Sequence, residues 1–333
     1  MKTSRRKFIV RSVLATAGLS AVTETLSKGM EPNTGSISGS AGKISDPFTI
    51  SIFSKHLHWL DWEEMAKTAA GMGFDGVDLT VRPGGHVLPE NVETDLPKVM
   101  KAVKKAGINI YMITTSITNA GDPLTGKILR TASSLGIRHY RTGYGYYDDS
   151  LSIRENIAIM KERLSGLAEI NEKYSIIGEY QNHSGVSGAG HYFGGPLWDL
   201  GWVLDEINSE WLGAQYDIYH AMIEGGYSWP VDLKFIAPFI KSLDVKDFVW
   251  SKNQGKWSSD TVPLGEGMVD FGKYLALIKQ YNISGPVSIH YEYPLGGAEH
   301  GDRTLTMKRD DVISAMRKDL VTLKHHLKEA KLV

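Results

Sequence analysis

Short runs of apolar and β-branched residues alternate with longer amphipathic stretches from about residue 46 to the end of the 333-residue chain. The short runs are nearly continuous in apolar residues through their first half, which is typical of strands covered on both faces. We predict eight strands, at 48–54, 76–81, 109–115, 138–144, 175–183, 212–220, 240–249 and 286–294. The stretches between and after them have the spacing of helices with one buried face. We predict eight helices, at 61–72, 93–106, 124–135, 152–174, 197–207, 231–239, 270–281 and 306–328.

This alternation predicts an α/β fold, a (β/α)8 TIM barrel that spans residues 46–333. A doubly wound open sheet would use the same alternation of elements. No G-x-G-x-x-G follows the first predicted strand, so a dinucleotide-binding fold has no direct support. The barrel is therefore our prediction.

The first 45 residues differ in composition from the rest of the chain. They carry seven basic and two acidic residues, a net charge of +5, which leaves −6 for residues 46–333 within the total of −1. Ser4-Arg5-Arg6-Lys7-Phe8-Ile9 precedes a short apolar stretch at 12–22, and Gly- and Ser-rich sequence follows. This order resembles a twin-arginine export signal. We predict that residues 1–45 are a signal peptide and flexible linker, and that the twin-arginine export machinery carries the protein to the periplasm or otherwise out of the cytoplasm.

The composition excludes several classes of protein. The chain has no Cys, so it has no disulfide framework, thiolate nucleophile, Cys-ligated zinc or iron–sulfur cluster. A net charge of −6 on residues 46–333 disfavours nucleic acid as a partner. No apolar run reaches the roughly 18 residues that a stable membrane span needs. A small molecule is the expected partner.

Polar residues gather at the carboxyl ends of the predicted strands, which is where barrels of this kind hold their sites. Residues two apart on a strand share a face, so Asp244 lies beside Lys246, and His290 beside Glu292. Carboxylates and imidazoles from four consecutive strands predict a divalent-metal site. The alternative is a hydrogen-bonded polar core that holds no ion.

Several segments resemble the xylose isomerase-like barrels, a superfamily of sugar-phosphate isomerases and epimerases with an apurinic endonuclease branch. The segment PLGEGMVDFGKYLALIKQYNISGPVSIHYEY (263–293) is similar to the final βα unit of that superfamily, and GMGFDGVDLTV (71–81) to its second strand. Asp217-Ile218-Tyr219-His220 matches its D-x-x-H, and Asp244-Val245-Lys246-Asp247 resembles its H-x-K-D. The resemblance covers residues 46–333.

The resemblance implies a metal held by one residue from each of strands five to eight. Carried over position by position, the ligands are Glu179, Asp217, Asp244 and His290, and only Asp217 matches the family without a change. Asp244 and His290 stand where the family has His and Glu, so an Asp and a His have exchanged strands. The metal would be Mn²⁺, Mg²⁺, Co²⁺ or Zn²⁺, among which this ligand set does not distinguish.

The polar strand ends supply candidates for catalysis and for substrate binding. Candidate proton-transfer residues are Glu179, Lys246, Glu292 and His183. Candidate substrate-binding residues are His56, His58, Arg82, His86, Arg141, Tyr144, Gln181 and His220.

We expect an exported, divalent-metal-dependent carbohydrate isomerase or epimerase. It would abstract a proton next to a metal-bound carbonyl and form an enediolate. A keto-glycoside lyase or hydratase would use the same chemistry, and a non-catalytic sugar-binding barrel with a degenerate metal site is a third reading. Export makes neutral or oxidised sugars better candidates than phosphorylated ones. Barrels of this family often pair as homo-oligomers, and the sequence leaves the oligomeric state of this chain open.

Overall fold

The computed structural model describes residues 48–333 and shows a closed barrel of parallel strands. The strands follow one another around the barrel in chain order, and the ring closes between the first and the last, where Ile50 lies opposite Val287. In chain order the barrel strands are β1 (Thr49–Phe53), β2 (Gly76–Val81), β3 (Asn109–Thr115), β4 (His139–Arg141), β5 (Ile177–Gln181), β6 (Leu212–Asp217), β7 (Ile240–Val245) and β8 (Pro286–Ile289). The predicted TIM barrel is confirmed.

Helices follow the strands, as their amphipathic sequences predict. Within residues 48–333 they are α1 (Trp62–Met72), α2 (Val92–Lys105), α3 (Pro123–Ser134), α4 (Ile153–Tyr174), α5 (Trp198–Ile207), α6 (Ile218–Gly225), α7 (Trp229–Ile236), α8 (Phe271–Gln280) and α9 (Arg309–Glu329). The longest, α4, buries Met160, Leu164 and Leu167 along one stripe. Its start is set by a capping box in which Ser152 and Glu155 bond each other's backbone N–H.

Several predicted strands end early, among them β4 at Arg141 and β8 at Ile289, and in two others a different regular element begins inside the predicted strand. The predicted strand 212–220 stops at Asp217, because this side chain accepts a hydrogen bond from the backbone N–H of His220 and starts α6, which we did not predict. The predicted strand 240–249 breaks after Val245. Asp247–Asn253 instead pairs with Lys256–Val262 in an antiparallel hairpin.

Asp247 explains the second break. Its carboxylate accepts hydrogen bonds from the backbone N–H groups of Gly265, Gly267 and Val269, and so ties the chain that follows the hairpin to the end of β7. A smaller hairpin, Val186–Ser187 with Gly190–His191, lies in the loop after β5.

The parallel register brings the polar strand ends to one rim. Asp217 on β6 pairs with Asp244 on β7, and Asp244 pairs with Ser288 on β8, two residues before His290. Strands that are far apart in sequence therefore present their carboxyl ends side by side.

The predicted signal and linker, residues 1–45, lie outside the described residues. Among the helices of residues 48–333, none combines the length and the apolar character that a membrane crossing requires.

Candidate active site

Asp217, Asp244 and His290 meet at the rim and form what we call the ligand group. One ligand atom from each lies within 4.8 Å of the others, and all three side chains are buried. His290 Nε2 is 3.4 Å from Asp244 Oδ1, and neither atom has a hydrogen-bond partner within residues 48–333. Buried polar atoms without partners are costly, so two of them facing each other indicate a place for a cation.

Local structure holds each member of the ligand group in place. Asp217 ends β6 and at the same time caps α6, so its carboxylate is fixed by the first turn of the helix. Asp244 is aligned with it by the β6–β7 pairing. His290 follows β8, and its backbone N–H still bonds the carbonyl of Val245 at 3.1 Å.

The electrostatics of the ligand group favour the binding of a cation. Burial raises the pKa of Asp217, against the charge of Lys246. Burial and the neighbouring Asp217 raise the pKa of Asp244 well above its usual range. Burial and nearby Lys246 lower the pKa of His290, so its imidazole is neutral and able to ligate. Two crowded carboxylates next to a neutral imidazole are stabilised by a divalent cation.

Gln181 joins the ligand group to the rest of the mouth. Its Nε2 donates to Asp217 Oδ2 at 3.0 Å and also to Asp244, while its Oε1 accepts from Arg141 Nη1 at 2.7 Å and from Tyr144. Rotation of the amide by half a turn would bring its oxygen to the ligand group instead.

The donor set fits a divalent metal ion. Asp217 and Asp244 offer carboxylate oxygens and His290 offers Nε2. Gln181 lies beside them and could add its amide oxygen if the amide rotated. Oxygen and imidazole ligands suit Mn²⁺, Mg²⁺, Co²⁺ and Zn²⁺. Three protein ligands would leave coordination positions for a substrate.

Lys246 is held between acidic groups. Its Nζ lies 3.2 Å from Asp217 Oδ2, 3.2 Å from Glu292 Oε2 and 2.9 Å from His220 Nε2. Burial opposes the charge, but Asp217 and Glu292 outweigh it and raise the pKa of Lys246. Lys246 is therefore a permanent cation that balances charge, and it is unsuited to act as a base.

Glu292 is the carboxylate of the site that faces the opening. Its side chain is 31% exposed, and besides Lys246 it has Lys55 Nζ at 4.0 Å. Burial opposes ionisation, but Lys246 and Lys55 prevail and lower the pKa of Glu292 to about 2. The carboxylate is thus ionised and accessible, as a proton acceptor must be.

Two adjacent histidines, one following β5 and one in the first turn of α6, form another part of the mouth. The rings of His183 and His220 are 3.9 Å apart, and Tyr192 lies 4.3 Å from His183. Burial and Lys246 lower the pKa of His183 to about 4. Its Nδ1 donates to the Ser184 carbonyl at 2.9 Å, so Nε2 keeps a free lone pair. Aromatic rings around it offer stacking surfaces for a sugar.

Glu179, which we predicted as a metal ligand and proton-transfer residue, lies away from the ligand group. It is fully buried, with Oε1 2.6 Å from His139 Nδ1 and Oε2 accepting from Ser242. Residues two apart on β5 point the same way but at different depths, so Gln181 occupies the rim and Glu179 the layer below. It cannot reach a substrate in this position.

Three of the predicted substrate-binding histidines, the β1–β2 histidines His56, His58 and His86, serve the fold in this structure. His56 Nδ1 donates to the Ala298 carbonyl at 3.0 Å, and its Nε2 accepts from Tyr291 N–H at 3.0 Å. Both of its ring nitrogens are therefore occupied by backbone.

The other two pack as a pair, with ring centroids 4.8 Å apart. His58 donates to the Gly301 carbonyl at 3.2 Å and accepts at Nε2 from Thr80 at 3.0 Å. His86 Nδ1 lies 3.3 Å from Ser54 Oγ, and its Nε2 has no partner in the described part of the chain.

Phe53 and Lys55 belong to the mouth but were absent from our predicted site. The Phe53 ring, at the end of β1, stacks on His290 with centroids 4.6 Å apart. Lys55, Arg82 and Arg141 surround that ring at 5.9, 5.4 and 5.3 Å from its centroid. Their position at the carboxyl end of the first predicted strand was the signal that could have found them.

Comparisons with known proteins agree with this architecture. Residues 66–308 match the family described as Xylose isomerase-like TIM barrel. No curated protein is similar enough in sequence to match the chain.

Three solved structures illustrate the likeness. The 3-keto-D-glucoside 4-epimerase of E. coli has 13% identity and a TM-score of 0.60, over 84% of this chain and 99% of the other. D-allulose 3-epimerase from Methylomonas sp., in complex with D-allulose, has 17% identity and a TM-score of 0.58, over 84% and 97%. A protein of this barrel type from Mycobacterium smegmatis, in complex with magnesium, has 14% identity and a TM-score of 0.57, over 82% and 98%. At these identities the likeness establishes a shared fold.

Proposed function

The chain belongs to the xylose isomerase-like TIM barrel family, and from this premise we propose that it is a divalent-metal-dependent carbohydrate isomerase or epimerase. The observation that carries the proposal is a pair of buried atoms, Asp244 Oδ1 and His290 Nε2, which face each other beside Asp217 and have no hydrogen-bond partner within residues 48–333. The proposal is in keeping with the sugar epimerases among the solved structures of this fold.

The reaction would begin with the sugar held at the rim. A divalent cation on Asp217, Asp244 and His290 would polarise the sugar carbonyl and acidify the adjacent C–H bond. The rings of His183, Tyr192 and Phe53 would orient the sugar ring and exclude water from its faces.

Two side chains would accept the proton, one following β8 and one following β5. Glu292 offers an ionised carboxylate from the β8 side, and His183 offers its Nε2 lone pair from the β5 side. Lys246 bonds Glu292 and keeps its carboxylate oriented, and its fixed charge favours the negative charge that develops on the sugar. If one of these residues removed the proton and the other returned it to the opposite face of the same carbon, that carbon would be inverted and the sugar epimerised. Return of the proton to the neighbouring carbon would isomerise the sugar.

The test is solvent exchange at the reacting carbon. We would incubate the Mn²⁺-loaded protein with D-fructose, D-allulose and 3-keto-glucosides in D2O and follow deuterium next to the carbonyl by NMR. We expect incorporation with the native chain, at least about a 100-fold loss with Glu292→Gln or His183→Asn, and no loss with Glu210→Gln. Glu210 is an exposed carboxylate away from the site.

The products separate the alternatives. Release of the aglycone from a 3-keto-glucoside would show a lyase acting through the same proton abstraction. Sugar binding without any deuterium incorporation in all three substrates would contradict the enzyme and leave a sugar-binding barrel.

We also propose export by the twin-arginine route, supported by Ser4-Arg5-Arg6-Lys7-Phe8-Ile9 and the short apolar stretch that follows. Fractionation of cells that express the full chain should find it outside the cytoplasm. Replacement of Arg5 and Arg6 by Lys should retain it inside, and export of that variant at the native level would overturn the proposal.

A further inference from the structure

Three cationic side chains approach one aromatic ring at the mouth of the barrel. We call Lys55, Arg82 and Arg141, which surround the Phe53 ring, the cationic cluster. Like charges this close repel one another unless an anion joins them. Burial and the neighbouring Arg141 lower the pKa of Arg82 to about 10, so both guanidinium groups remain charged near neutral pH.

Arg82 is the member that lacks a partner. It follows β2 with its guanidinium carbon 5.4 Å from the Phe53 centroid, and within residues 48–333 it makes no side-chain hydrogen bond and no ion pair. Its side chain is only partly exposed, so water does not surround it fully. A half-buried guanidinium with all of its donors unused is suited to bind an oxyanion.

Arg141 gives a second, independent sign. It is 4% exposed, and although its Nη1 donates to Gln181, its Nε has no partner in the described part of the chain. Lys55 has only Glu292, at 4.0 Å, and Glu292 is already paired with Lys246 at 3.2 Å. Asp244 and Asp78 act on Arg141 through their charges, so Arg82 is the cation of the cluster that keeps no direct side-chain partner within residues 48–333.

The cationic cluster borders the ligand group. Phe53 contacts both groups, since its ring stacks on His290 at 4.6 Å and the guanidinium carbon of Arg82 lies 5.4 Å from its centroid. A sugar whose carbonyl lies at the ligand group would extend a neighbouring substituent toward Arg82.

The geometry points to an acidic sugar as the substrate, with a carboxylate bound by Arg82 and supported by Arg141 and Lys55. This inference rests on the proposed function and names its substrate class. A carboxylate fits better than a phosphate ester because one unused cation matches one negative charge. A dianion would lie close to Glu292 and Asp244 and be repelled by them.

The test compares acidic sugars with their neutral parents by isothermal titration calorimetry on the Mn²⁺-loaded full chain. The pairs are D-glucuronate with D-glucose and D-galacturonate with D-galactose, and D-glucose 6-phosphate is the phosphate arm. We expect at least one uronate to bind about tenfold more tightly than its parent. This preference should weaken as salt is added.

Matched variants assign the preference. Arg82→Gln should abolish the preference for the uronate over its neutral parent, and Arg82→Lys should keep part of it. Arg154→Gln, an exposed arginine elsewhere, should leave the preference unchanged. Thermal unfolding of each variant confirms that it folds.

Three results would overturn the inference: no saturable uronate binding, equal Kd values for uronate and parent, or a preference that survives Arg82→Gln. Tighter binding of glucose 6-phosphate than of either uronate would overturn the carboxylate assignment. Because this experiment measures binding, its failure can be told apart from failure of the proposed catalysis. An Arg82-dependent preference for uronates without deuterium exchange would support this inference and contradict the catalysis. Deuterium exchange on neutral sugars with no preference for uronates would support the catalysis and contradict this inference.

Discussion

Both sides of the barrel mouth carry buried histidines, but the histidines make different contacts on the two sides. On the β6–β8 side, Asp244 and His290 keep buried atoms with no partner in the described part of the chain, and these atoms face one another. On the β1–β2 side, both ring nitrogens of His56 are hydrogen-bonded to backbone groups. Those of His58 are hydrogen-bonded to the Gly301 carbonyl and the Thr80 hydroxyl. A free ring nitrogen alone does not make a metal ligand, because His86 Nε2 also lacks a partner in the described residues, yet it belongs to no group of three candidate ligands there.

The loop after β8 produces this difference. It returns across the β1–β2 side and supplies the carbonyls of Ala298 and Gly301, which His56 and His58 bind. Gly301 has φ of 85°, and a Cβ there would come within 2.8 Å of Lys55 Cγ, so glycine is needed for the close approach. The carbonyls of this loop are not used on the β6–β8 side.

The largest effect is expected where the ligand group loses a charge. Asp217→Asn keeps the size of the side chain and an oxygen to cap α6, but it should lower divalent-cation affinity by at least about 100-fold. His86→Gln, on the other side, should leave the affinity unchanged. Calorimetric titration of Mn²⁺ into chelator-treated protein measures both. A larger loss in His86→Gln than in Asp217→Asn would move the metal to the β1–β2 histidines.

The second-largest effect is expected on the free energy of unfolding, when a histidine of the β1–β2 side is replaced. His56→Ala leaves the Ala298 carbonyl and the Tyr291 N–H buried without a partner, and should lower the free energy of unfolding by about 2–4 kcal/mol. His183→Ala, at a half-buried ring, should cost less than about 1 kcal/mol. Urea unfolding followed by circular dichroism gives both values. Equal losses in the two variants would remove the distinction between the sides.

A smaller change in affinity is expected when Gln181 becomes acidic. Gln181→Glu adds a third carboxylate beside Asp217 and Asp244 and should tighten Mn²⁺ binding by about tenfold, since affinity rises with ligand charge. The same charge should lower the melting temperature of the chelator-treated protein by repulsion. Weaker Mn²⁺ binding in this variant would show that residue 181 lies outside the coordination sphere.

The smallest effect is a change in pH dependence. Burial and the neighbouring Arg303 lower the pKa of His58 from 6.5 to about 4, so the unfolded chain takes up a proton in this range and the folded chain does not. Stability is therefore full above pH 6.5 and falls as the pH is lowered toward 4. His58→Asn should reduce this slope by up to one proton, or about 1.4 kcal/mol per pH unit. Urea unfolding at a series of pH values in EDTA measures it, and an unchanged slope would mean that folded His58 is already protonated.

The sequence by itself determined the barrel and the rim. Apolar runs such as that of β2 and amphipathic stripes such as that of α4 are local patterns, and their alternation is enough to predict the fold. Asp217 also followed from its own strand end and the D-x-x-H motif.

Only the tertiary structure decided which polar residues face one another. Glu179 and Gln181 lie on the same face of β5, and the register with β4 and β6 sets which of them reaches the rim. His56 differs from His290 because the loop from residue 290 onward folds back over β1, a contact between residues more than 200 positions apart. Local patterns carry no information on such contacts, because register and loop return depend on the packing of all eight strands together.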